Sequence, residues 1–262
     1  GIAVDLKHPS GIDVIKKLIP RSDVLIYNVR PNAMERLGLS YSDVTALNPK
    51  IVYVGAYGYS ENGPRAGRAA YDDLIQGSTG VPWLVSKGGK EKPRYVPLNF
   101  ADRVTGLHAV YAVTAALYQR EKSGRGQSVE VPMFESISHF VLGDHMAGLS
   151  FQPPIGPSGY ERLKHRRVYE TKNGFICALV YNEAQWTRFW AAMNQPEMMN
   201  DPNFINHSAR AQNIGEIYDL LSEIIKNEDT DYWMSFLQNI DVPVARMNTV
   251  DDLLSDEHLI ET

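Results

Sequence analysis

The chain has 262 residues, 44% of them hydrophobic, so it is long enough to bury a sizeable core without disulfide or metal support. Its formal net charge of −5 at pH 7 excludes a general nucleic-acid binder, because affinity for the phosphate backbone requires concentrated Lys and Arg. No run approaches the roughly 18 to 20 apolar residues of a membrane helix and no signal pattern opens the chain, so we expect no membrane association and a cytoplasmic location.

The first half of the chain alternates short apolar runs with segments of helical period. This alternation predicts α/β architecture, with an open, mainly parallel, Rossmann-like sheet covered by helices. Two helix starts are marked by a hydroxyl three residues before a carboxylate, at Ser10 with Asp13 and at Ser40 with Asp43. The apolar spacing predicts strands at 2–6, 24–27, 51–57 and 128–131 and helices at 101–122 and 134–149.

A proline- and glycine-rich stretch at 151–157 interrupts this pattern and predicts a linker. We therefore expect a large α/β domain at 1–149, a linker at 150–166 and a smaller α+β domain at 167–262. The small domain opens with apolar runs on both sides of Asn173-Gly174, a strong signal for a β-hairpin. Helices are predicted after it at 183–193, 208–226 and 229–239.

The single cysteine, Cys177, has no partner for an intrachain disulfide. It lies in an apolar run of the small domain, so we expect it in the core. The chain begins without methionine inside a predicted strand and stops inside a predicted helix. We therefore expect a fragment that lacks the first segment of the large domain and is truncated at its carboxyl end.

Several familiar motifs are missing from the sequence: G-x-G-x-x-G, the P-loop, H-E-x-x-H and G-x-S-x-G. One cysteine excludes paired-thiolate metal sites, and His139 and His145 do not have the i, i+4 spacing of a helical metal pair, so no metal is expected. Instead, cations and glycines follow the predicted strands, where open α/β sheets bind ligands. Such residues would suit a ligand with separated phosphates, although composition alone favours solvated surface charge; they include Lys7, Arg30, Arg36, Arg65 and Arg68.

A series of short segments occurs in a recognisable order along nearly the whole chain. They are Val4-Asp5-Leu6-Lys7, Glu35-Arg36-Leu37-Gly38, Asn48-Pro49-Lys50, Gly63-Pro64, Tyr71-Asp72, Ala101-Asp102 with Thr105-Gly106, Ser123-Gly124-Arg125-Gly126-Gln127, Val242-Pro243-Val244 and Asp251-Asp252-Leu253-Leu254. Together these segments resemble the family III coenzyme A transferases, the group that includes formyl-CoA and carnitine-type transferases.

The resemblance implies a role for Asp102, which matches the aspartate that becomes acylated in this family. Such an enzyme transfers CoA from an acyl-CoA to a small carboxylic acid through a covalent aspartyl intermediate. The attack of a carboxylate on a thioester gives a mixed anhydride and keeps the acyl group activated. No permanently bound cofactor is implied, because CoA is a substrate. From its position before the long helix, Asp102 is also expected to be a helix N-cap.

The family also implies positions that contact CoA. Matched to this sequence, they are Val4, Lys7, Asn28, Ala33 and Arg36, and Arg68 lies one residue from a further expected cation. Lys7 and Arg36 are the expected phosphate partners. The resemblance further implies a homodimer in which the two chains interlock.

Two departures from related families bear on the activity. The related α-methylacyl-CoA racemases have a histidine before the aspartate of the Tyr71-Asp72 pair. This chain has Tyr71 there, and a phenol with a pKa of about 10 is a poor proton shuttle at neutral pH. The glycine-rich loop of formyl-CoA transferase is not evident either. The alternatives that stay open are an acyl-CoA racemase or isomerase, and an inactive acyl-CoA binding protein.

Overall fold

The computed structural model describes all 262 residues, and the chain divides into two compact units, Gly1–Ser158 and Gly159–Thr262. The division falls inside the expected linker at 150–166. None of the helices combines the length and the apolar character needed to cross a bilayer.

The first unit is a parallel sheet with helices packed against it. Its strands β1 (Val24–Tyr27), β2 (Val52–Gly55) and β3 (Gln127–Glu130) lie in the order β1-β2-β3, so β2 is in the centre, and all four β2 residues are buried. A strand buried on both faces, such as β2, is a continuous apolar run, which explains why the sequence predicted it. The elements are α1 (Pro9–Leu18), β1 (Val24–Tyr27), α2 (Pro31–Arg36), α3 (Tyr41–Leu47), β2 (Val52–Gly55), α4 (Asp72–Ser78), α5 (Val81–Val85), α6 (Phe100–Ser123), β3 (Gln127–Glu130) and α7 (Met133–His145).

The long helix α6 is the central helix of this unit. It confirms the predicted core helix and ends at Gly124, whose φ of 71° is a left-handed conformation that favours glycine. Ala109 and Ala116 of α6 pack with Val52, Val54 and Val131 of the sheet in one buried cluster. The position of α6 therefore depends on contacts with the strands at the centre of the sheet.

The predicted strand at 2–6 is wrong. The amide of Lys7 donates to the Asp5 carboxylate at 2.9 Å and the amide of His8 donates to the Asp5 carbonyl at 3.2 Å, so the backbone turns and pairs with no strand. The helix start at Ser10 is also wrong, because α1 begins at Pro9 and the His8 ring accepts the Ser10 amide. A proline at the first helical position explains the earlier start.

The capping box predicted at Ser40 and Asp43 is confirmed. The Ser40 hydroxyl accepts the Asp43 amide at 3.3 Å, and the Asp43 carboxylate accepts the Ser40 amide at 3.0 Å. The predicted helix at 134–149 is shorter than expected. It ends at His145 and continues as a 3₁₀ turn, since Ala147 has a φ of 42° that an α-helix does not allow.

The second unit has an antiparallel sheet of β4 (Tyr169–Thr171), β5 (Gly174–Ala178) and β6 (Val244–Arg246), in the order β4-β5-β6, with helices packed against it. The predicted hairpin is confirmed, but its turn is Lys172-Asn173, because Gly174 already pairs with Thr171. Asn173 accepts the Thr230 amide at 2.9 Å, which fixes it in the turn. The elements are α8 (Tyr160–Leu163), β4 (Tyr169–Thr171), β5 (Gly174–Ala178), α9 (Glu183–Ala192), α10 (His207–Gln212), α11 (Ile214–Ile225), α12 (Thr230–Asn239), β6 (Val244–Arg246), α13 (Val250–Leu254) and α14 (Glu257–Glu261).

The expectation that Cys177 is a core residue is wrong, because its side chain is exposed. Side chains alternate along a strand, and Ile176 of β5 occupies the buried face. Cys177 therefore lies on the opposite face, across from Ala245 of β6. The predicted helix at 208–226 is two helices, α10 and α11, which meet at Asn213.

Aromatic side chains fill the core of the second unit. Trp186, Phe189 and Trp190 of α9 pack with Phe204, and Trp233 of α12 is buried in the same cluster. The Trp233 indole donates to the Ile225 carbonyl at 2.7 Å, so this side chain joins α12 to the end of α11. A buried indole N–H usually has such a partner.

Replacing Trp233 with Phe is expected to lower the free energy of unfolding by about 2 kcal/mol, since it opens a small cavity and leaves the Ile225 carbonyl without its donor. Urea denaturation followed by circular dichroism measures the change. Tyr232→Phe is the matched control, because Tyr232 is exposed and loses only a hydroxyl. Equal stability of the two variants would contradict this account of the core.

Candidate active site

Asp102 is the third residue of α6, so the expectation that it caps the helix is wrong. The N-cap position belongs to Asn99, whose side chain makes no capping hydrogen bond. Asp102 is exposed, and its carboxylate forms no hydrogen bond or ion pair within the chain. The carboxylate is therefore available to a substrate.

The first turn of α6 is capped by a residue that is distant in sequence. The Asp72 carboxylate accepts the Ala101 amide at 2.7 Å and the Asp102 amide at 3.1 Å through the same oxygen. Asp72 is the first residue of α4. The start of α4 thus supplies the acceptor that the helix does not find locally.

The second oxygen of Asp72 is held by Gln76, one turn further along α4. The Gln76 amide nitrogen donates to this oxygen at 2.6 Å, and the Gln76 carbonyl oxygen accepts the Val96 amide at 3.0 Å. Gln76 is completely buried, which leaves its side chain one orientation that satisfies these groups. The segment that leads into α6 is therefore tied to α4.

The pKa of Asp102 is raised above the usual value of a carboxyl group. Partial removal from water is the larger cause, and the negative charge of Asp72 adds to it. A carboxylate of raised pKa is more basic, which strengthens its ionised form as a nucleophile.

A groove of about 750 Å³ leads to Asp102. It is lined by β1, by the turns that follow β1 and β2, by the start of α4 and by one face of α6. The predicted site residues Asn28 and Asp102 both line it, together with Tyr71. The end of the groove that holds Asn28 and Asp102 lies at the carboxyl edge of the parallel strands, where open α/β sheets bind ligands, and the rest extends along β1 and α6.

The other predicted CoA contacts, which do not line this groove, are Val4, Lys7, Ala33, Arg36 and Arg68. Lys7 lies in the turn before α1, Arg36 is the last residue of α2, and Arg68 lies in the loop after β2; all three side chains are exposed. Their contact with CoA stays a prediction. No group of three or more His, Cys, Asp or Glu side chains is arranged to hold a metal ion.

A second carboxylate, Glu130 at the end of β3, organises the loop that follows β2. It accepts the Tyr57 hydroxyl at 2.7 Å, the Ser60 hydroxyl at 2.9 Å and the Glu61 amide at 2.7 Å. Burial alone would raise the pKa of Glu130, but these three donors outweigh it and lower the pKa below the usual value. Glu130 is thus a structural anion beneath the loop.

The same loop contains Arg65 and Gly58, one of the cations and one of the glycines that suggested a phosphate site. The Arg65 guanidinium lies 4.6 Å from the centre of the Phe134 ring and 5.6 Å from that of Tyr59, so it stacks on aromatic rings. Gly58 is required by packing, because a Cβ atom there would lie 2.2 Å from the Cβ of Ala70. Gly58 and Ala70, which line the same groove as Asp102, are therefore in close contact.

The model of CoA-transferase family III matches residues 1–262. The chain belongs to CoA-transferase family III. It is 27% identical over 99% of its length to the succinyl-CoA–D-citramalate CoA-transferase of Chloroflexus aurantiacus, and 26% identical over 99% to the human succinyl-CoA:glutarate CoA-transferase. It spans only 65% and 59% of these two relatives.

Solved structures agree with the family assignment. A CaiB/BaiF family protein from Brucella suis is 27% identical and superposes with a TM-score of 0.79, covering 99% of this chain and 69% of that one. Rv3272 from Mycobacterium tuberculosis gives a TM-score of 0.83 at 23% identity, over the same shares of the two chains, which shows the fold alone.

Sequence reasoning missed the roles of Asp72, Gln76 and Glu130 in this family III chain. Asp72 was noticed only as part of the Tyr71-Asp72 pair, because its partners lie 29 and 30 residues further along the chain. Glu130 accepts a hydrogen bond from Tyr57, which lies 73 positions earlier in the chain. The sequence offered no local signal, because Asn99 and Asp102 have the same spacing as Ser40 and Asp43, and only the structure shows that they form no capping box.

Replacing Glu130 with Gln is expected to lower the free energy of unfolding at neutral pH by about 1–2 kcal/mol, because charged hydrogen bonds to three donors become weaker. The folded pKa of Glu130 is depressed, so its stabilisation is present above the ordinary carboxyl pKa of about 4.3 and is lost as the pH falls through the folded value.

Urea denaturation of the wild type and of Glu130→Gln, from about pH 3 to about pH 7, measures how their difference in stability depends on pH. This range extends to both sides of the ordinary carboxyl pKa. Glu35→Gln is the control, since Glu35 is exposed on α2 and bonds to nothing in the loop. A stability difference that does not shrink at low pH would show that the charge of Glu130 is not what holds the loop.

Proposed function

We propose that the protein transfers coenzyme A from an acyl-CoA donor to a carboxylic acid acceptor, with Asp102 as the covalent nucleophile. The observation that carries this proposal is the Asp102 carboxylate itself, which lies at a groove without any partner in the chain. The names of the relatives support CoA transfer between acids, and their succinyl-CoA donors favour short dicarboxylates as substrates.

The reaction begins when an oxygen of Asp102 attacks the thioester carbonyl of the donor. The C–S bond breaks, the CoA thiolate leaves with its electron pair, and a mixed anhydride forms between the acyl group and Asp102. The thiolate then attacks the aspartyl carbonyl. The donor acid leaves as a carboxylate, and CoA is held as an aspartyl thioester.

The acceptor reverses these steps. Its carboxylate attacks the aspartyl thioester and releases the thiolate, which gives a second mixed anhydride. The thiolate attacks the acceptor carbonyl, so that a new acyl-CoA forms and the Asp102 carboxylate is restored. No bond energy from ATP is needed, because each step exchanges one activated acyl bond for another.

Six residues are proposed to contact CoA: Val4, Lys7, Asn28, Ala33, Arg36 and Arg68. Lys7 and Arg36 suit its phosphates as exposed cations. Asn28 lines the same groove as Asp102, which suits it to the part of CoA nearest the thioester.

We also propose an interlocked homodimer, the domain division at 1–149, 150–166 and 167–262, and a cytoplasmic location. Each unit leaves large apolar side chains exposed, which supports burial in an assembly. In the first unit Leu107, Val110 and Tyr111 project from α6, and in the second Phe175 and Leu179 lie on or beside β5. Light scattering of the whole protein that carries this chain distinguishes a dimer from a monomer.

Replacing Asp102 with Asn keeps the shape of the side chain and removes the nucleophile. We expect CoA transfer to fall by at least about 1,000-fold while acyl-CoA still binds. Steady-state transfer from succinyl-CoA to glutarate and isothermal titration with CoA measure the two properties. Asp144→Asn is the control, because Asp144 is an exposed carboxylate of α7 without an ion pair.

Retained transfer in Asp102→Asn would remove Asp102 as the nucleophile. The racemase alternative predicts that acyl-CoA exchanges its α-proton in deuterated water without an acceptor acid, and we expect no exchange. Tyr71, in the position of the racemase histidine, is 74% exposed and offers only a phenol. CoA binding without transfer in the wild type would favour an inactive binding protein.

A further inference from the structure

The chain contains three aspartates at the third position of a helix, and two of them behave alike. Asp43 in α3 and Asp252 in α13 close capping boxes with Ser40 and Thr249, whose amides they accept at 3.0 and 2.7 Å. These bonds hold the pKa of both carboxyls below the usual value. An aspartate at this position normally bonds back to the N-cap of its own helix.

Asp102 occupies the same position in α6 and makes no such bond. The difference lies in the acceptor at the helix start. In α3 and α13 a hydroxyl of the N-cap residue accepts the amide of the aspartate, whereas in α6 an oxygen of Asp72 accepts that amide. The cap of α6 comes from α4, so Asp102 is left out of the capping arrangement.

We propose that Asp72 is a positioning residue for Asp102: by capping α6 from another helix, it holds the nucleophile in place and keeps its carboxylate out of a capping box. The inference rests on the proposed function of Asp102. Gln76 supports the arrangement, because it holds the second oxygen of Asp72 and is itself fixed by the Val96 amide.

The charge of Asp72 has a second effect on the same carboxylate. A negative group beside the first turn of α6 opposes the ionisation of Asp102, in addition to its partial removal from water. The other titratable groups at this end of the groove are Tyr57 and Tyr71, and Arg103 follows Asp102 in the helix. None of these forms a hydrogen bond or ion pair with the Asp102 carboxylate.

Two variants separate placement from charge. Asp72→Asn keeps a neutral oxygen that can accept both amides, at the cost of the bond from Gln76, whose nitrogen then faces a second NH2 group. Asp72→Ala removes the acceptor and allows Asp102 to bond back to its own helix. We expect the pH midpoint for Asp102 ionisation to fall in both variants. We expect transfer at neutral pH to fall about 100-fold in Asp72→Ala, the loss typical of a misplaced catalytic group, and clearly less in Asp72→Asn.

The test measures the transfer rate from succinyl-CoA to glutarate against pH in the whole protein, and titrates the Asp102 carboxyl by ¹³C NMR, assigned with Asp102→Asn. Asp73→Asn is the matched control, because Asp73 is the next residue of α4, is exposed and forms no hydrogen bond or ion pair with α6. It should leave both readouts unchanged.

An Asp102 midpoint that stays constant in Asp72→Asn and Asp72→Ala, or moves equally in Asp73→Asn, would overturn the inference. The NMR titration needs no turnover, so it decides the inference even if the wild type proves inactive, which would instead remove the proposed function. Circular dichroism checks folding, and if Asp72→Ala does not fold, Asp72→Ser takes its place, because its shorter side chain also removes the acceptor that reaches both amides.

Discussion

The structure around the groove depends on one interaction, the acceptance of the Ala101 and Asp102 amides by the Asp72 carboxylate. A helix start has several amides without intrahelical partners, and in α6 two of them are satisfied by the first residue of α4. Because α6 also packs on the central strands of the sheet, this contact relates Asp102 to the rest of the first unit. Asp102 is held by the capping of its helix rather than by bonds to its own side chain.

Three carboxylates of the first unit, Asp72, Asp102 and Glu130, differ in the hydrogen bonds that they accept, and this difference sets what each can do. Asp72 and Glu130 accept bonds from backbone amides and side chains, and these bonds hold loops and helix ends together. Asp102 has no partner, and its pKa is raised while that of Glu130 is lowered. A carboxylate saturated with donors is stabilised as an anion and is a weak nucleophile, whereas an unpartnered and partly desolvated one keeps its reactivity.

Local sequence patterns predicted the parts of the fold that local interactions determine. Helix α6, the capping box at Ser40 and the hairpin of the second unit all follow from spacing within a few residues. The prediction that Cys177 lies in the core was wrong, because an apolar run does not show which face of a strand is covered. The role of Asp72 was not predictable, because its bonds join residues 29 and 30 positions apart that only the fold brings together. The Asp102 nucleophile came from the family resemblance, and the structure adds its surroundings.

The most direct measurement for the account is peptide mass spectrometry of the whole protein incubated with succinyl-CoA and trapped with hydroxylamine. Hydroxylamine converts an aspartyl anhydride or thioester to a hydroxamate, which marks the residue that carried the acyl group or CoA. The account predicts a hydroxamate on the peptide that contains Asp102 and on no other carboxylate. An unmodified Asp102 in a protein that still transfers CoA would contradict it.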